Sequence, residues 1–192
     1  MAKKYDFRPD KPKGNLLSHL VLTKKQQLSV LKWGLYALLL IVISVVQDVL
    51  LSQVRIFGAT TDLLPCAIFL ISILEGGEAG SIFSLAGGLF YLFSGTAPGS
   101  YAMAAITFLS VGACLFRQAF LRENFFSAAV CTALATVVYE ALMFAFGLFF
   151  GLTLFSRLWG FCLTAILSLL IVPILYPVLK AIHAIGDQTW KK

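Results

Sequence analysis

The chain has 192 residues, of which 59% are hydrophobic and only 12% charged, and its mean hydropathy is +0.90. That leaves too little polar surface to cover a water-soluble core, so a soluble domain is excluded and an integral membrane protein is indicated. The formal charge of +6 is unevenly placed, with eight of the 15 Lys/Arg residues in residues 1–32, which is a topology signal rather than a nucleic-acid patch.

Residues 1–22 carry Lys3, Lys4, Arg8, Lys11 and Lys13 among Pro9, Pro12 and Gly14, the composition of a solvated basic arm. Its later part, LLSHLVL, suits the membrane surface, with His19 an ordinary interfacial side chain. Thr23 and Gln26 form a T-x-x-Q capping box, which predicts a helix from near Lys24. This helix is expected to cross the bilayer from about Trp33 to Leu51, with Trp33 and Tyr36 at the interface. No small-residue cleavage site follows the run, so a cleaved signal peptide is not expected.

The stretch RIFGATTDLLP (55–65) separates this helix from the next. Gly58 permits a turn, and Asp62 as N-cap places Pro65 at N3, where its missing N–H has no intrahelical partner to lose. The helix LLPCAIFLISIL then has about 12 to 14 residues, roughly 20 Å, short of the ~30 Å hydrocarbon layer. EGGE (75–78) is a tight polar break, and a second short apolar run follows over 79–95, so the pair predicts a helical hairpin. Gly76, Gly80, Gly87 and Gly88 leave one hairpin face almost free of side chains, which lets another helix approach closely; simple packing is the more economical explanation. The link SGTAPGS (94–100), with Gly95 and Gly99, suits a short external loop. A fourth helix is predicted over about Tyr101–Phe116, a basic loop over 117–124, a long fifth helix over Phe125–Phe150, and a sixth over Leu158–Leu179 through Pro173 and Pro177.

The expected fold is therefore all-α, with six transmembrane helices of which the short second and third form a hairpin. It divides into a basic arm (1–22), a membrane domain (23–182) and a short tail (183–192). In this layout thirteen Lys/Arg fall on one side and only Arg55 and Arg157 on the other, which predicts that both termini are cytoplasmic.

A carboxylate inside the bilayer costs about 2.5–3.5 kcal/mol on insertion scales and is kept where it faces protein or water. Glu140, near the middle of the fifth helix, and Asp48, toward the outer end of the first, are the candidates. Glu140 is expected to hydrogen-bond Tyr139, Thr136 or a facing helix, with a proton or substrate relay as the sharper alternative; Asp48 can reach the outer headgroups. The four cysteines, one per apolar segment without a CxxC pair, are expected to be packing residues, so no metal or cofactor is implied. No HExxH, GxSxG or P-loop occurs, and the spans lack paired aspartates or a Ser/His pair, which disfavours an enzyme.

The order QVRIFGATTDLLP, a short helix, EGGEAGSIFSLAGGLFYLFSGTAPGSYA and a basic loop resembles the rod-shape-determining MreD family of membrane proteins. The match rests on Gly58 with Asp62, Leu63 and Leu64, on Gly80, Gly87, Gly88 and Leu89, and on Gly95 and Gly99; its specific part is residues 53–122. Members often carry an aspartate near the end of the third helix, where this chain has Tyr91 and Leu92. The resemblance implies a non-catalytic inner-membrane scaffold of the cell-elongation machinery. Such a protein binds MreC and, directly or through it, supports the MreB cytoskeleton, the RodA glycosyltransferase and its class B transpeptidase in lateral peptidoglycan synthesis. The rival is a substrate-binding membrane subunit of an energy-coupling-factor vitamin transporter, since short, broken helices also build midplane sites.

Overall fold

The computed structural model describes residues 24–51, 61–120 and 124–187. The basic arm, Thr23 of the capping box, the turn with Gly58 and the last five residues lie outside them. The described residues are helical, without a strand. In chain order they form α1 (Lys24–Val46), closed by a π-helical turn Gln47–Leu51; α2 (Leu63–Glu75); α3 (Gly77–Phe93); α4 (Tyr101–Phe120); α5 (Phe125–Phe149); a 3₁₀ turn Phe155–Arg157; α6 (Leu158–Leu169); and α7 (Val172–Asp187).

The shortest of the hydrophobic runs sits at the centre. Every residue of α2 from Leu63 to Ile73 is buried, because a helix that is apolar on all sides has no face to offer water and must be surrounded. Its neighbours are α3, α4, α5, α7 and α1, with α6 touching its start. Around it, α1, α4 and α5 turn apolar side chains outward, among them Leu38, Val42, Phe108, Leu115, Leu134 and Val137. An apolar exterior of that extent is what a lipid-facing surface requires. Among the described residues three helices are long and apolar enough to cross a membrane: Gln26–Val49, Tyr101–Gln118 and Phe125–Phe149. The segments Phe155–Leu169 and Val172–Ile185, bent by 44°, make a fourth crossing if taken together.

Several expectations change. The sixth helix is two helices, broken at Leu170–Ile171. The cause is Pro173, whose ring crowds the carbonyl of Leu169 and which has no N–H to offer it. Pro177 is carried inside α7, which continues to Asp187, beyond the expected membrane boundary at residue 182. Tyr36, expected at the membrane interface, is fully buried, packed with Trp33 against Phe83. α2 and α3 do form the antiparallel hairpin, turning at Gly76, whose φ of 88° is a conformation that side chains resist.

Candidate functional site: the two ends of the central helix

The glycines of α3 are used inside the bundle. A Cβ on Gly80 would lie 2.3 Å from Ser72 O of α2, one on Gly87 would lie 3.0 Å from Ile68 Cγ1 of α2, and one on Gly88 would lie 3.4 Å from Met103 of α4. The face stripped of side chains is therefore occupied by the chain's own helices. Gly95, at φ 77°, turns the chain out of α3, and Gly99 lies against the Tyr101 ring.

At its start α2 requires partners for four backbone N–H groups, those of the N-cap and the first three helical residues. Asp62 N–H donates to Ser168 Oγ at 3.0 Å, and Leu63 and Leu64 N–H both donate to Gln47 Oε1, at 2.9 and 3.2 Å. Pro65, the third helical residue, has no N–H. All four positions are thus accounted for, three by the Ser168 and Gln47 side chains and the fourth by the proline itself. Asp62 stands at the N-cap, as expected, but its side chain caps nothing. Instead Gln47 Nε2 donates to Asp62 Oδ1 at 3.1 Å, and the Tyr91 hydroxyl donates to Oδ2. Gln47 reaches this point from the π-helical turn, a local widening of α1 that redirects its last side chains. Asp48, next to it, is exposed and accepts from Ser44 Oγ at 3.4 Å.

On α5, behind this cluster, the Tyr139 hydroxyl is buried and has no hydrogen-bond partner among the described residues. Tyr91 is a longer-range polar neighbour of this hydroxyl, and the Asp62 carboxylate lies in electrostatic range. Glu140 is 7% exposed and in electrostatic range of Asp62. Among the described residues Glu140 makes none of the hydrogen bonds expected for it: Thr136 Oγ1 donates to Thr132 O instead, and the Tyr139 hydroxyl has no partner within 3.5 Å.

At the other end of α2, about 20 Å away for 13 residues at 1.5 Å each, a second polar cluster closes the helix. Ser72 O accepts from Gly76 N–H and from Cys114 Sγ, both at 3.1 Å, and Ile73 O accepts from the Arg117 guanidinium. Cationic donors suit this end because the last carbonyls carry the negative pole of the helix dipole. Glu75, in the polar turn beyond the apolar run, gathers three helices. Its Oε2 accepts from Lys32 Nζ at 2.6 Å, and its Oε1 lies 2.5 Å from the Tyr36 hydroxyl and 2.9 Å from His183 Nδ1. Burial alone would raise the Glu75 carboxyl, but hydrogen bonds from His183, Lys32 and Tyr36 and the Lys32 charge outweigh it, holding it below its ordinary 4.5.

The structure thus brings together Asp62 and Pro65 at one end of α2 and packs Gly80, Gly87 and Gly88 along the hairpin. It leaves Asp48, Gly95 and Gly99 at the periphery. Ser168, Glu75 and His183 were not singled out as site residues by sequence reasoning, nor was Gln47 apart from its place beside Asp48, and Tyr91 was noted only where the family often has an aspartate. The only local signal was their polarity within or beside apolar runs, which does not say which residues meet. No protein-family model, curated protein or solved structure matches the chain.

Proposed function

We propose that this protein is a non-catalytic scaffold of a bacterial inner membrane that works by lateral helix contact, in the manner of the MreD family its sequence resembles. It would bind MreC and, directly or through it, support RodA, the class B transpeptidase and the MreB cytoskeleton during lateral wall synthesis. The observation that carries this reading is that the polar side chains at both ends of α2 serve to tie neighbouring helices to it. The result is a braced bundle whose remaining surface is apolar and faces outward.

Six crossings, with α6 and α7 together as the last, are part of the same reading. The Glu75 cluster joins the beginning of α1, the α2–α3 turn and the end of α7, while the Asp62 cluster joins the end of α1, the start of α2, the end of α3 and the middle of the broken helix. Helices that alternate in direction meet in this way. With the excess of Lys/Arg on the Glu75 side, both termini are cytoplasmic. Reporter fusions at each terminus test the orientation, and a periplasmic signal at either end overturns it. Co-purification of MreC in mild detergent, with rounding of rod-shaped cells on depletion, tests the function. The broken α6–α7 helix beside a buried carboxylate favours a second reading, the transporter subunit, and recovery of coupling ATPase subunits in place of MreC would establish it.

A further inference from the structure

We propose that the Asp62 end of the central helix is a binding site for a small monovalent cation of the sodium type, held by the Asp62 carboxylate, the Tyr139 hydroxyl and oxygen atoms at the break between α6 and α7. Three independent features meet here. The first is charge. The Asp62 carboxylate receives hydrogen bonds from Gln47 and Tyr91 but no cationic side chain among the described residues, and Glu140, also buried, stands in its electrostatic field. Carboxylates held in an apolar interior need either a counter-charge or a proton.

The second feature is an orphan. Tyr139 is 1% exposed, and its hydroxyl makes no hydrogen bond within 3.5 Å among the described residues, with Tyr91 a longer-range polar neighbour and Asp62 in electrostatic range. The Thr61 hydroxyl, next to Asp62 in the chain, is likewise buried and unpartnered. Buried hydroxyls are almost always satisfied, so two unsatisfied oxygens close in sequence or space to one carboxylate mark a place where something else supplies the contact.

The third is the broken helix. The last backbone bond of α6 runs from Leu170 N–H to Ile166 O, and the bonds that follow, from Ile174 and Leu175, go to Ile171 O. The final carbonyls of α6 are thus left open, as at any helix end, and Ser168 brings this break against Asp62. Open carbonyls at a helix break inside a membrane bundle are the usual coordinating groups for sodium.

The ligand set is all oxygen, which points to a hard cation. With no group of three His, Cys, Asp or Glu residues able to hold a metal among the described residues, a monovalent ion fits better than a divalent one.

The test is the unfolding midpoint of the full-length protein in detergent, in sodium chloride and in choline chloride at equal ionic strength. Sodium is expected to raise the midpoint by about 2 °C or more over choline, since a ligand that binds only the folded state stabilises it. Tyr139→Phe removes a hydroxyl that makes no hydrogen bond within 3.5 Å among the described residues, with only a longer contact to Tyr91 to lose, so it is expected to fold with a little-changed midpoint in choline and to lose the sodium increment. Asp62→Asn is expected to lose it as well, and Glu75→Gln, at the opposite end of α2, to keep it. Equal midpoints in the two salts for the unaltered protein overturn the proposal, as does a full sodium increment in Tyr139→Phe. A midpoint that responds to acid but not to sodium overturns it in favour of proton uptake.

Discussion

Replacing Gly80 by alanine adds one methyl group at the tightest point of the bundle. Its Cβ would stand 2.3 Å from Ser72 O and about 3 Å from that residue's carbonyl carbon and Cα, against a normal carbon–oxygen contact of about 3.3 Å. The obstacle is backbone, not a side chain that can swing away, so α3 must move about 1 Å off α2. Ser72 O also accepts from Gly76 and Cys114, and that displacement weakens both contacts. Overpacking of this kind costs about 1–3 kcal/mol, the loosened hydrogen bonds add about 1, and the helix propensity of alanine returns up to about 1. The net loss is about 2–3 kcal/mol, a fall in midpoint of roughly 5–10 °C for a chain of this size. The control is Gly34→Ala in α1, where nothing lies within 4 Å of the added carbon, and which is expected to match or exceed the unaltered protein. Thermal unfolding in detergent at one scan rate compares the two. A Gly80→Ala protein as stable as Gly34→Ala would mean that the hairpin is not packed in this way.

Gln47→Leu keeps the volume but strands the N–H groups of Leu63 and Leu64, at about 1–3 kcal/mol each, and is expected to be among the most damaging single changes when read by protease resistance in detergent; resistance equal to that of the unaltered protein would discount the cap. Gly87→Leu collides with Ile68 inside the bundle, so it is expected to lower the midpoint of the isolated protein; loss of partner binding at an unchanged midpoint would place that face at an intermolecular contact instead. Glu75 has a folded-state pKa depressed below 4.5, so its contribution is complete above that value and is lost as pH falls through the folded pKa. Glu75→Gln is therefore expected to be less stable at neutral pH and to show a flatter decline below pH 4.5, measured as midpoint against pH; parallel curves would remove Glu75 from the account.

What could be read from the sequence was local. The apolar runs, the polar break at EGGE, the N-cap position of Asp62 and the tolerance of Pro65 at N3 follow from residues within a few positions of one another, and the six expected helices start within about two residues of α1 to α6, while the separate start of α7 at Val172 was not foreseen. Pro173 was visible too, but whether a proline bends a helix or breaks it depends on what packs at the freed carbonyls. The pairings that define the polar ends were not legible, because Gln47 with Leu63, Asp62 with Ser168, and Glu75 with Lys32 and His183 are 16 to 108 positions apart or join three helices at once. Glu140 drew attention as the charge nearest the middle of a span. The carboxylates with defined partners, Asp62 and Glu75, sit at helix ends, where a charge looks unremarkable in a sequence.

The central position of so short a helix follows from the same accounting. A helix of about 20 Å placed at the rim of the bundle would expose its end groups to hydrocarbon, where no water can satisfy them. Surrounded by the other helices, it can borrow donors and acceptors from their flanks: Ser168 and Gln47 serve its first N–H groups, proline removes the one that remains, and Cys114 and Arg117 serve its last carbonyls. Gln47 lies in the π-wound turn of α1, Ser168 just before the break after α6 and Arg117 in the last turn of α4, so the irregularities of α1 and α6 are where the bundle meets the start of α2. A partner helix that pressed on α1 or α6 would therefore act on the caps of α2 first, and on the bundle through them.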